Sequence, residues 1–167
     1  MNQPIPIPFA TFLDYFPETE LPITLTDETA FIFSRENKPF SADILQQYLL
    51  PLEQEEVDEF TEFAPCFKLP NTFDFHALVY WKAGLLNHQF IMVTINKKAE
   101  IMDKQVIAGT FSDQDQLIQS VATIDSDFEI LIVSGQQPAQ APHHFDASKS
   151  TTQKLELLPE GKIIFID

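Results

Sequence analysis

The side chains able to do chemistry fall in three places. Asp74 and His76 stand two residues apart in FDFHALVYWK, which reads as a strand, so both project to one face. With His88 on the neighbouring strand, they are a candidate proton relay or metal site. Metal sites ordinarily need three or four ligands in a set geometry, and the plainer reading is the polar face of a half-wet sheet. His143, His144 and Asp146 lie in QQPAQAPHHFDASKS, whose Pro, Gln, Ala and Ser content predicts a flexible loop over 136–150. Ordering that loop around an ion would cost entropy. Cys66, the single cysteine, lies between Pro65 and Phe67. A thiol in apolar surroundings is inert unless a positive neighbour activates it, so Cys66 reads as buried and unreactive.

No Gly-rich phosphate loop, GxSxG elbow, HExxH or CxxC occurs. The expectation is therefore a protein with no catalytic residue, cofactor or metal. The remaining conspicuous feature is acidic: Glu53, Glu55, Glu56, Asp58, Glu59 and Glu62 crowd one short segment. The whole chain carries 25 acidic against 10 basic residues, a formal charge of −15. Nucleic acid and anionic membranes are poor partners for such a surface, since binding them rests on Lys and Arg. A basic protein is a suitable one, because opposite charge speeds encounter. Solubility alone also explains an acidic surface. Two function classes follow. The first is a non-enzymatic interaction module, an acidic inhibitor or immunity-type partner of a basic protein contacted through the acidic run. The second is a small-molecule binding protein with an apolar, Phe-rich cavity.

These side chains need a scaffold, and 167 residues with 44% hydrophobic content and 16 phenylalanines can build one as a single domain, 1–167. No apolar run approaches the roughly 20 residues of a membrane helix. The opening MNQPIPIPFATF has no Lys or Arg before its apolar residues, unlike a secretory leader. With one cysteine excluding an internal disulfide framework, the cytoplasm is the expected compartment.

Residues 73–109 carry the strongest pattern. Phe73, Phe75, Ala77, Val79 and Trp81 alternate with Asp74, His76, Leu78, Tyr80 and Lys82, predicting a strand with one core face and one wetter face. Gln89 to Ile95 is apolar on both faces and so central. A third strand spans about 99–108, after a turn at Asn96-Lys97-Lys98-Ala99. Before this meander, the prolines of residues 1–8 predict an extended arm. The part over 9–60 reads as mainly helical. Phe9, Phe12, Leu13 and Phe16 make one face of a helix over 9–16. Ser41 caps a second helix that Pro51 ends. Over 21–40, Ile23–Leu25 suits a strand, and Asp27 either caps a helix or precedes another strand. Residues 60–69 suit a strand that Pro65 confines to an edge or a bulge. Residues 112–123 fit either a capped helix or a strand. Phe128–Val133 is a strand, and 154–157 pairs with 162–166 through Pro159-Glu160-Gly161. The glycines recur every 25 or 26 residues, at 84, 109, 135 and 161, but the segments between them do not match, so no repeat is inferred. The expected fold is α+β: short N-terminal helices packed on an antiparallel meander of about six strands over 61–167, with barrel-like closure as an open alternative.

Overall fold

The computed structural model describes residues 6–54, 57–113, 115–138 and 150–166. The fold is α+β, with short N-terminal helices on a long antiparallel meander. Eight strands follow one another in the sheet in sequence order: β2 (Glu62–Lys68), β3 (Phe75–Ala83), β4 (His88–Asn96), β5 (Ile101–Asp113), β6 (Gln116–Ile124), β7 (Glu129–Pro138), β8 (Thr151–Leu157) and β9 (Ile163–Ile166). The short β1 (Ile23–Leu25) joins β6 beyond the point where β5 leaves it. The sheet does not close into a barrel; β2 and β9 are its two edges.

The sheet nevertheless folds over on itself. The bend falls in β5, which pairs with β4 up to Thr110 and with β6 from Gly109 onward. Gly109 adopts φ 147°, and a Cβ there would lie 2.0 Å from the His88 carbonyl oxygen. Only glycine permits this conformation and this approach of two backbones. Bulges at Ile107 and Met102 of β5, opposite Phe90/Ile91 and Thr94/Ile95, add curvature. The two halves then meet face to face. Phe67, Phe75, Val79, Phe90 and Met92 from the first half pack with Ile124, Ile130, Leu155 and Leu157 from the second. The β8–β9 turn locks onto β4 and β5: Thr94 Oγ1 donates to the Gly161 carbonyl at 2.7 Å, and the Ile163 N–H donates to Asp103 Oδ2 at 2.8 Å.

The opposite face of β3 and β4 is equally dry. It carries Leu78, Tyr80, Ile91, Val93 and Ile95, and the N-terminal helices cover it with Phe12, Phe16, Phe40, Ile44, Leu49 and Leu52. The wetter face expected on β3 is therefore not wet: Leu78 and Tyr80 are 0% exposed. The reason is non-local. The short helices α1 (Phe9–Leu13) and α3 (Ala42–Ile44), the latter continuing through a π turn and a 3-10 turn to Leu52, must bury their own apolar faces, and this sheet face receives them. Phe73, placed on the core face by alternation, is 81% exposed because β3 begins only at Phe75.

Between these layers α2 (Asp27–Glu36) runs along β1 and β2. Thr26 caps it reciprocally with Thr29, and Asp27 and Glu28 occupy the first turn, where the helix dipole favours them. The ambiguity over 21–40 thus resolves as a strand followed by a helix. Of the stretch 112–123, Ser112 and Asp113 end β5 and 116–123 lie in β6, so the strand alternative holds there. Gln136 to Pro138 belong to β7 and not to the loop expected at 136–150; 139–149 lie outside the described residues. Among the described residues no helix is long and apolar enough to cross a membrane.

Candidate functional site

A groove runs where α2 meets the edge of the sheet. It begins with β2, and with Pro65. Register along β2 shifts between Pro65 and Phe67, so Cys66 is the extra residue of a bulge. A bulge turns two successive carbonyls the same way. Here both point away from β3, and the side-chain amide of Asn37 donates one hydrogen to Pro65 O at 2.8 Å and the other to Cys66 O at 2.9 Å. Proline lacks an N–H, and at this outward position no ladder bond is lost. Further along the same edge, Pro17 and Thr19 take the backbone groups of Lys68: its N–H donates to Pro17 O at 2.9 Å, and its carbonyl accepts from the Thr19 N–H at 3.1 Å.

The rest of the edge faces a hollow of about 400 Å³. Thr61, Glu62, Phe63, Ala64 and Pro65 form one wall, Ser34, Asn37, Pro39 and Leu45 the other, and Trp81 lines it too. A second hollow of about 280 Å³ shares Ser34 and Trp81 and adds Asp27, Ala30, Phe31 and His88. Trp81, the chain's only tryptophan, is half-buried against Phe90 (ring centroids 4.7 Å apart) and His88 (5.5 Å). Asp27 is held at its end of the groove by the Thr110 hydroxyl, 3.0 Å from Oδ2, and by the Gln119 amide at 3.3 Å. Both hollows take a carboxylate, Glu62 or Asp27, into their lining, and no described lining residue is Lys or Arg. Arg35 lies nearby on α2, stacked on the Phe31 ring with Cζ 5.7 Å from its centroid.

The residues singled out from sequence are dispersed. Asp74 is exposed and precedes β3. His76 rests edge-on against Phe9, centroids 5.8 Å apart. Burial, then the charges of Lys97 and Lys68, hold its pKa below the ordinary 6.5. His88 is not its neighbour: His76 pairs with Ile95 and His88 with Ala83, so they stand seven residues apart along the hairpin, roughly 23 Å at the usual strand rise. Among the described residues no cluster of three His, Cys, Asp or Glu side chains could hold a metal. His143, His144 and Asp146 lie outside the described residues. Cys66 is fully buried, and burial pushes its thiol pKa far above the ordinary range.

The acidic run divides. Glu53 is turned inward onto Lys82, with Oε2 2.6 Å from Nζ and the side chain nearly buried. Its other oxygen and the buried Tyr80 hydroxyl have no hydrogen-bond partner among the described residues. Asp58 closes a turn, accepting from the Phe60 N–H and the Thr61 hydroxyl, each at 2.9 Å. Glu59 and Glu62 are exposed, and Glu55 and Glu56 lie outside the described residues.

A further hollow, about 270 Å³, opens inside the curve of β5–β8, where the Ser120 and Ser134 hydroxyls are 2.7 Å apart. Its rim passes through Gln136 and Thr151, which flank the undescribed stretch, so its outline on that side lies beyond the described residues.

Sequence reasoning missed the groove. Its walls come from residues 34–45, 61–65 and 81, and only tertiary packing joins them. The signal available was Pro65, which marked a strand edge. Compared with protein-family models, curated proteins and solved structures, the chain matches none.

Proposed function

We propose that this chain is a non-enzymatic recognition module that binds a basic, apolar-containing segment of a partner protein in the groove over Trp81. The observation behind the reading is the composition of that groove. An indole and aliphatic walls offer desolvation, Asp27 and Glu62 supply negative charge, and no described lining residue is a cation. Half-buried tryptophans between apolar walls are the usual anchors of binding energy. A lysine or arginine bound here gains from the carboxylates and from the ring face. Glu62 brings the exposed end of the acidic run to the rim, and the net charge of −15 steers a basic partner toward it.

The test is selection from a random dodecapeptide display library against the immobilised chain. Sequences rich in Lys or Arg interleaved with apolar residues should be enriched. Their affinity should fall about tenfold or more with Trp81→Ala, the hot-spot range, and several-fold with Glu62→Lys. Enrichment without basic character, or binding indifferent to both substitutions, would overturn the proposal.

A further inference from the structure

The backbone of β2 indicates how such a segment is held. We infer that the partner segment binds as an added β-strand, hydrogen-bonded to Phe63 on the open end of the β2 edge. This rests on the groove being a peptide site, as proposed above, and adds the conformation of the occupant.

In a strand, the N–H and C=O of one residue point to the same side, and the side alternates from residue to residue. Lys68 points outward, to Pro17 and Thr19. Two residues back, Cys66 points outward, its carbonyl bound by Asn37. The bulge makes Pro65 point the same way, to the same amide. Alternation resumes before it, so Glu62 and Ala64 turn toward β3 while Phe63 turns its N–H and C=O outward, as does Thr61. Among the described residues no backbone or side-chain group bonds to Phe63 on that side, and the Thr61 carbonyl is likewise free, while its N–H turns to Asp58 O at 3.3 Å.

The chain already uses this edge once. Glu18 forms a parallel bridge with Lys68, so a short stretch of the chain itself covers the far end of β2. Asn37 covers the middle. Among the described residues only the end from Thr61 to Ala64 stays open, and that end lines the hollow beside Trp81. A strand laid there meets a donor and an acceptor at Phe63 and a second acceptor at Thr61. The ladder stops at Pro65, which has no N–H to offer and whose carbonyl is taken. Alternate side chains of the added strand would point to opposite sheet faces. One set lies toward Trp81, which pairs in register with Ala64, and the other lies toward Phe63 and Leu45. Main-chain bonds give such a site affinity for many sequences, and the acidic rim selects basic ones.

The test uses the full chain and the capped heptapeptide Lys-Val-Lys-Val-Lys-Val-Lys, with binding followed by Trp81 fluorescence. Hydrogen exchange at the Phe63 amide should slow at least tenfold at saturation, while the Glu62 and Ala64 amides, already facing β3, should change little. Methylating the three valine nitrogens and methylating the internal lysine nitrogens should have opposite effects, one abolishing binding and the other leaving it within about threefold. If the peptide binds but Phe63 exchange is unchanged, or both methylated peptides bind alike, strand addition is wrong and the groove reading survives. If the peptide does not bind at millimolar concentration, both fail.

Discussion

Asn37 ties α2 to the sheet edge, and removing its amide should have a calculable cost. Its Nδ2 has two hydrogens, and both are used, on Pro65 O at 2.8 Å and Cys66 O at 2.9 Å. Both acceptors belong to buried residues. An internal hydrogen bond contributes about 1 kcal/mol net, and more when its loss strands a buried partner. Asn37→Ala should therefore cost about 2 kcal/mol, with 3 as an upper bound if groove water does not reach the carbonyls. For a chain of this size that is a fall in Tm of about 4–8 °C. The backbone N–H of residue 37, which caps Phe33 O, is unaffected. Asn37→Asp should be worse at neutral pH despite equal size, because an ionised carboxylate only accepts and would face two carbonyl oxygens. Ser34→Ala is the control: its hydroxyl bonds within α2 at an exposed position, and surface changes of this kind stay within about 0.5 kcal/mol. Thermal unfolding followed by circular dichroism reads all three. If Asn37→Ala lies within 1 °C of wild type and Asn37→Asp is no worse than Asn37→Ala, the tether contributes nothing.

Other positions give further checks. Gly109→Ala combines a positive φ with a Cβ 2.0 Å from a backbone oxygen, so it should cost about 3 kcal/mol or more; a denaturation midpoint near wild type would mean that the β5 bend is not fixed by glycine. Tyr80→Phe removes a buried hydroxyl without a described partner, whose pKa burial and then the Glu53 charge push upward. Stability should hold or rise, and a fall in Tm of several degrees would reveal an unrecognised partner. The His76 pKa is lowered from 6.5 in the folded chain. The unfolded chain then binds the proton more readily, so this residue withdraws stability as pH falls through 6.5 toward its folded value. His76→Gln should remove that loss, and its Tm relative to wild type should rise between about pH 7 and pH 5; a constant difference would contradict the assignment.

The meander was legible because its signals are local. Alternation located β3, the apolar content on both faces marked β4 as central, and Pro65 pointed to an edge or a bulge at β2, which has both. What covers a strand was not legible. Leu78 and Tyr80 sit among Asp74, His76 and Lys82 in sequence, and nothing local says that helices 30 to 70 residues earlier will roof them. The stretch 112–123 was ambiguous because Leu117, Ile118 and Val121 fit a helical face as well as a strand, and pairing with β5 and β7 decides it. Strand patterns place His76 and His88 on neighbouring strands but carry no register; the tight connection at residues 84–87 puts them at opposite ends of the hairpin. The groove depends on Asn37 reaching a carbonyl 28 residues away, which no periodicity encodes. The acidic run was visible as composition, but the inward turn of Glu53 toward Lys82 was not, because that ion pair joins a helix end to a strand.

We propose that the groove over Trp81 receives a basic extended segment, and one titration tests this most directly. Trp81 is the only tryptophan, so intrinsic fluorescence reports on the groove directly. The decisive measurement is a fluorescence titration with the Lys-Val heptapeptide beside the same peptide with Glu in place of Lys. A saturable change is expected with the basic peptide alone. It should weaken sharply between about 0.1 M and 1 M salt, as the screening length falls from about 10 Å to about 3 Å, and be reduced by Glu62→Lys. An equal response to the acidic peptide, or a basic-peptide affinity unmoved by salt and by Glu62→Lys, would contradict it.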